Sequence, residues 1–192
     1  MSKLETNIIA PSTGTTLTLG ESGDSIVVPS GVTITNNGTQ TGFGGTNTPA
    51  FEAHLSSNAT INNTANNKIP YNTELLDTNN CYDNTTNYRF TPTTAGYYYL
   101  YHKVQVYGDA TNALRQISPS IWKNGSEYAG TEIGTYPDYI LHQITAYSIA
   151  IIYLNGSTDY VEAYCYIDGT QSTGTLQSAA NRSAFGGYKL LT

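Results

Sequence analysis

Charge is scarce in this 192-residue chain: Lys, Arg, Asp and Glu together make up 11% of it, against the ~25% usual in a globular domain. What charge there is sums to −6. Eight Lys and Arg cannot neutralise a run of phosphates, so no nucleic-acid partner is expected. Long apolar runs are missing too. Nothing approaches the roughly 18 apolar residues that cross a bilayer as a helix, so no membrane partner is expected. Met1-Ser2-Lys3-Leu4-Glu5 offers no apolar signal core, and Sec export is not expected. The two cysteines, Cys81 and Cys165, are too few for a disulfide framework and read as reduced thiols. Residues that favour helices are sparse as well, which argues against a mainly helical protein.

Tyrosine is abundant, with 17 residues against four Phe and one Trp. Thr, Asn, Ser and Gly supply most of the remainder. Thr, Tyr, Ile and Val favour strands, and Asn-Gly pairs favour turns, so an all-β fold is expected. Asn58-Ala59-Thr60 and Asn84-Thr85-Thr86 have the glycosylation pattern, but a chain this rich in Asn and Thr produces it by chance.

The composition shifts near residue 48. Residues 1–47 contain no Tyr, Trp, His or Cys. They read as short alternating runs separated by turns. Leu17 and Leu19 precede Gly20-Glu21-Ser22-Gly23-Asp24, Ile26 and Val28 precede Pro29-Ser30-Gly31, and Val32 and Ile34 precede Asn36-Asn37-Gly38. The pattern predicts a strand of three to five residues in each run. Those six apolar residues cannot form a core alone. They must pack on the main domain, on sister chains or on another surface. Residues 39–48, with Gly42, Gly44 and Gly45, read as a hinge.

Residues 48–192 read as one β-sandwich domain. Strands are predicted at 50–55, 69–76, 87–90, 97–107, 117–123, 144–154, 159–167 and 183–191, with tight turns at Asn124-Gly125 and Asn155-Gly156. Two of the strands carry tyrosine rows. Over 97–107 the even positions Tyr98, Leu100, His102, Val104 and Val106 suit a core, while Tyr97, Tyr99, Tyr101 and Tyr107 share the opposite face with Lys103 and Gln105. Over 159–167, Val161, Ala163, Cys165 and Ile167 face one way and Tyr160, Glu162, Tyr164 and Tyr166 the other. The 144–154 strand is apolar on both faces, with Ile149, Ile151 and Tyr153 on one of them. If these strands are neighbours, their outer faces form a patch larger than a soluble monomer exposes. Self-association through closed symmetry is the simplest cover for it. A Tyr-rich core and a sugar-binding surface are the alternatives.

Several fragments resemble the tumour-necrosis-factor-like jelly roll, in its complement globular-head branch. Pro49-Ala50-Phe51-Glu52-Ala53-His54 is similar to that family's opening strand. Tyr88-Arg89-Phe90-Thr91-Pro92-Thr93-Thr94-Ala95-Gly96-Tyr97-Tyr98-Tyr99-Leu100 resembles its central motif, with Cys81-Tyr82-Asp83 like the turn before it. Lys123-Asn124-Gly125 resembles its midpoint hairpin, and Phe185-Gly186-Gly187-Tyr188-Lys189-Leu190-Leu191 its closing strand. The resemblance spans residues 49–192. It implies a ten-stranded jelly roll and a homotrimer whose interface would hold Tyr97, Tyr99, Tyr101, Tyr107, Tyr153, Tyr160, Tyr164 and Tyr166. The arm's Thr-Leu-Thr-Leu-Gly and Pro-Ser-Gly-Val-Thr-Ile stretches resemble segments preceding such heads in bacteriophage structural proteins. This implies a virion-surface protein assembled in the bacterial cytoplasm. Leu17, Leu19, Ile26, Val28, Val32 and Ile34 would anchor it to the major capsid protein or another virion protein, as a decoration, cement or short head fibre.

Catalytic patterns are missing. His54, His102 and His142 are scattered, and no metal-ligand spacing, nucleophile elbow or phosphate loop occurs. His102 falls on an apolar strand face and reads as a satisfied core histidine. Asp77, Asp83, Asp138 and Asp168 fall in loops and read as solvated turn carboxylates rather than calcium ligands. No enzyme activity, metal or cofactor is expected. The competing reading is a recognition module at a fibre tip, with Tyr136 and Tyr139 stacking on a host-surface glycan.

Overall fold

The computed structural model describes residues 8–38, 47–108, 113–135, 141–179 and 182–191, and every regular element among them is a strand. The chain divides into two units, Met1–Phe43 and Gly44–Thr192. The hinge glycines Gly42, Gly44 and Gly45 lie outside the described residues.

The second unit holds, in chain order, β1 (Ala50–His54), β2 (Ala59–Asn62), β3 (Asn66–Lys68), β4 (Thr73–Asp77), β5 (Tyr82–Asp83), β6 (Arg89–Phe90) and β7 (Gly96–Gly108). It continues with β8 (Leu114–Lys123), β9 (Ser126–Gly130), β10 (Ile133–Gly134), β11 (Gln143–Leu154), β12 (Val161–Gly169), β13 (Thr173–Leu176) and β14 (Ala184–Lys189). One sheet runs β2-β13-β7-β14-β1-β4, with β11 also on β7. The other runs β10-β8-β12-β6-β5, with β9 on β8 and β3 on β12. All pairings are antiparallel. This is a jelly-roll β-sandwich. Its strand segments outnumber the ten that the family resemblance implies.

The core lies between the sheets and is filled by the alternating residues that the sequence marks. Tyr98, Leu100, His102, Val104 and Val106 of β7 are buried against Val161, Ala163, Cys165 and Ile167 of the opposite sheet. Phe51 stacks on Phe90 at 4.2 Å and meets Phe185 edge-on at 5.0 Å. Such pairs add about 1 kcal/mol beyond their area burial. Cys81 and Cys165 are free and buried, and burial pushes the Cys165 thiol up to about 12. His102 is fully buried, with Nε2 3.0 Å from the Tyr71 hydroxyl, which donates to the Lys103 carbonyl at 3.1 Å. Burial lowers the pKa of its imidazole to about 3.

Three expectations need correction. The strands expected at Leu17/Leu19, Ile26/Val28 and Val32/Ile34 do not form, although turns between them do. A strand needs a partner for its peptide groups, and among the described residues 9–38 the backbone-to-backbone hydrogen bonds close only the turns Glu21–Asp24 and Pro29–Val32. Second, the turn predicted at Asn155-Gly156 does not pair the strands on either side of it. It carries the chain from β11 in one sheet to β12 in the other, with Asn155 Oδ1 accepting the backbone N–H groups of Ser157, Thr158 and Asp159. Asn124-Gly125, by contrast, is the expected hairpin turn, with positive φ at both residues between β8 and β9. Third, short strands such as β3 and β13 form where the sequence carries no strand signal. Asn66–Lys68 has no apolar alternation of its own and is strand only because β12 pairs with it.

Candidate functional site

The outer face of the first sheet is where β7, β11 and β14 lie side by side. In β7 the odd positions point away from the core because the even ones fill it. The register then sets the neighbours. Tyr97 lies opposite Tyr153, Tyr99 opposite Ile151, Tyr101 opposite Ile149 and Lys103 opposite Tyr147. On the other edge, Tyr99 faces Tyr188 and Tyr101 faces Gly186.

Tyr147, Ile149, Ile151 and Tyr153 are 54%, 56%, 58% and 48% exposed. Tyr97 and Tyr188 are exposed as well, and Tyr99, Tyr101 and Tyr107 are half-buried. Alternating residues of β11, Ala146 through Leu154, are buried in the core. The strand is therefore apolar on both sides while only one side is covered. Contiguous apolar surface of this kind marks an interaction site.

The rings are held by one another. Tyr97 meets Tyr153 edge-on at 5.5 Å, and Tyr99 is tilted against Tyr188 at 5.5 Å. Tyr107 stacks on His142 at 5.5 Å. The Tyr101 hydroxyl donates to the Glu52 carboxylate, and burial, with that charge, raises the phenol well above its ordinary pKa. The outer edge of β11 is also occupied. Tyr128 donates to the Ile151 carbonyl at 3.3 Å and Lys123 to the Tyr153 carbonyl at 2.8 Å. Lys123 in turn pairs with Asp159 at 2.9 Å. These contacts block strand addition at that stretch of edge and leave the flat face as the open surface.

The structure brings Tyr97, Tyr99, Tyr101, Tyr107 and Tyr153 together on this face and puts Tyr160, Tyr164 and Tyr166 elsewhere. Strand β12 belongs to the second sheet, so its tyrosines point from the far side of the sandwich. There Tyr164 stacks on Trp122 at 4.1 Å, the Arg89 guanidinium sits 4.4 Å over the Tyr160 ring, and Glu162 pairs with Lys68. The Tyr160 and Tyr164 rings have partners within the chain. The sequence reading missed Tyr147 and Tyr188 as members of the first face. Their alternation with core residues in the same strands was the available signal.

The arm residues Leu17, Leu19, Ile26, Val28, Val32 and Ile34 are all exposed. Tyr136 and Tyr139, singled out for glycan binding, lie outside the described residues. Among the described residues no group of three His, Cys, Asp or Glu converges to hold a metal ion. No helix among them is long and apolar enough to cross a membrane.

No protein-family model matches this chain, and no curated protein sequence matches it. Solved structures do. Eiger TNF from S. frugiperda superposes with a TM-score of 0.54 at 15% identity, covering 73% of this chain and 91% of that one. Murine APRIL at pH 5.0 superposes with a TM-score of 0.53 at 12% identity, covering 73% and 98%. At these identities the likeness shows the fold, a tumour-necrosis-factor-like jelly roll.

Proposed function

We propose that this protein is a non-enzymatic structural component of a bacteriophage particle, a homotrimer acting as surface decoration, cement or short head fibre. The jelly-roll heads pack on one another through the face built by β7, β11 and β14. The N-terminal arm ties the trimer to the major capsid protein or another virion protein. One observation carries this reading: Tyr97, Tyr147, Ile149, Ile151, Tyr153 and Tyr188 form an exposed apolar sheet face on a chain with little charge to keep such surfaces apart. A closed ring of copies buries that face in every protomer, whereas an open arrangement leaves one exposed. The virion setting is supported by the sequence of the arm and its resemblance to phage repeats.

Two measurements test it. Sedimentation of the purified full chain is expected to give a trimer at micromolar concentration, and a monomer overturns the assembly. Quantitative mass spectrometry of particles is expected to find hundreds of copies in simple ratio to the major capsid protein. Absence from the particles overturns the virion role.

A further inference from the structure

The arm presents an unfinished β-structure. Residues 16–19, 25–28 and 32–35 are rich in Thr, Val, Ile and Leu and belong to no ladder among the described residues. The joints between them are well made. Asp24 N–H donates to the Glu21 carbonyl at 3.0 Å, with Gly23 at φ 98°, and the Asp24 carboxylate accepts the Glu21 N–H at 2.8 Å. Val32 N–H donates to the Pro29 carbonyl at 3.2 Å, with Gly31 at φ 83°. Both are turns that require a positive φ at their third residue, and each has glycine there. The Asn36 side chain accepts the Gly38 N–H at 2.9 Å. Leu17/Leu19 and Val32/Ile34 each alternate around a threonine, whereas Ile26 and Val28 flank Val27, which is apolar and exposed as well. The six side chains of these pairs are 41% to 67% exposed.

Strand-forming residues whose peptide groups find no ladder among the described residues, and whose apolar side chains are exposed, are the features of a strand whose partner is another chain. We propose that this partner is the same segment of sister copies: the arms intertwine into a β-structured stalk, with these six residues of each chain turned inward. The inference rests on head self-association, and chain connectivity is what favours it. The arm enters the head at β1, where Ala50 lies opposite Tyr188, and Tyr188 lies opposite Tyr99. Residues 47–49, which lead into β1, therefore lie at the end of the sheet that holds Tyr97 and Tyr153. Heads packed through that face bring the roots of their arms together, so effective concentration favours arm–arm pairing over a separate partner. Identical arms also share one register, so every inward apolar pair meets its like while the turns stay on the outside. Attachment to the particle then falls to the arm's distal end.

The test uses the full chain with one added thiol, since Cys81 and Cys165 are buried in the head. Val28→Cys and, independently, Ile26→Cys are expected to cross-link most of the purified protein between protomers under mild oxidation. Ser22→Cys, in a turn, is expected to remain largely monomeric on a non-reducing gel. In the unmodified protein, amides of residues 25–28 and 32–35 are expected to exchange at least tenfold more slowly than those of the turns. A trimer in which neither inward thiol cross-links and these amides exchange freely overturns the stalk and leaves the head assembly standing. Protection that appears only on phage particles overturns it in favour of the particle surface. A monomeric full chain removes both the stalk and the head assembly.

Discussion

The Tyr101 ring lies over Gly186 on the neighbouring strand, so closely that a Cβ at position 186 would stand 2.5 Å from the Tyr101 hydroxyl oxygen and 2.9 Å from the Phe51 carbonyl. The missing side chain lets the ring lie flat and lets its hydroxyl reach Glu52, one strand further on. Gly186→Ala is therefore expected to lift the ring and break that bond. The loss should be about 1–3 kcal/mol of stability, the usual range for overpacking. Thermal unfolding measures it, and an unchanged Tm would show that the ring does not need this seat.

The face itself makes a second prediction. Ile151 is exposed at its centre, between Tyr99 across the strand pair and the Tyr97–Tyr153 pair beside it. Ile151→Glu leaves the buried core untouched but places an unpaired charge in the proposed interface. The expected cost is about 3 kcal/mol per site, enough to dissociate the trimer at micromolar concentration without unfolding the head. Tyr164→Glu, on the other sheet, is expected to leave the assembly intact. Equal behaviour of the two variants in sedimentation would move the interface away from β11.

Acid should unfold the head in part through His102. Its folded-state pKa, about 3, lies below the unfolded value of ~6.5. A group held neutral in this way contributes stability above pH 6.5 and loses it as pH falls toward 3. At about 1.4 kcal/mol per unit, the loss is on the order of 5 kcal/mol by the lower limit. Denaturant unfolding from pH 7 to pH 4 should show a shallower decline in His102→Phe than in the parent chain. Parallel declines would mean that the acid sensitivity comes from carboxylates alone.

Gly156 occupies the crossing between the sheets with φ 72°, and a Cβ there would stand 2.3 Å from the Ala95 nitrogen. Gly156→Ala combines an unfavourable backbone conformation with a clash against main chain that has no freedom to yield. We expect about 3 kcal/mol or more of destabilisation, read as a fall in the denaturant midpoint. A neutral result would mean that Thr94-Ala95 moves aside.

Much of the head is legible from one dimension. Alternation within 97–107 separates Tyr98, Leu100 and His102 from Tyr97, Tyr99 and Tyr101, because successive side chains on a strand leave by opposite faces whatever the strand pairs with. Asn124-Gly125 reads as a hairpin because a tight two-residue turn needs positive φ at both positions. Alternation does not say which sheet a strand joins. Tyr153 and Tyr164 belong to equally regular rows, yet the turn at Asn155 and Gly156 crosses between the sheets, so one row joins the open face and the other is covered by Trp122, Arg89 and Lys68. Strand character is likewise conditional. Asn66–Lys68 becomes a strand because β12 lies beside it, and Ile26–Val28 does not because none of the described residues lies beside it as a strand. Local chemistry determined the faces and the turns of this protein; its pairings, which depend on residues far apart in sequence meeting in space, were decided only by the tertiary structure.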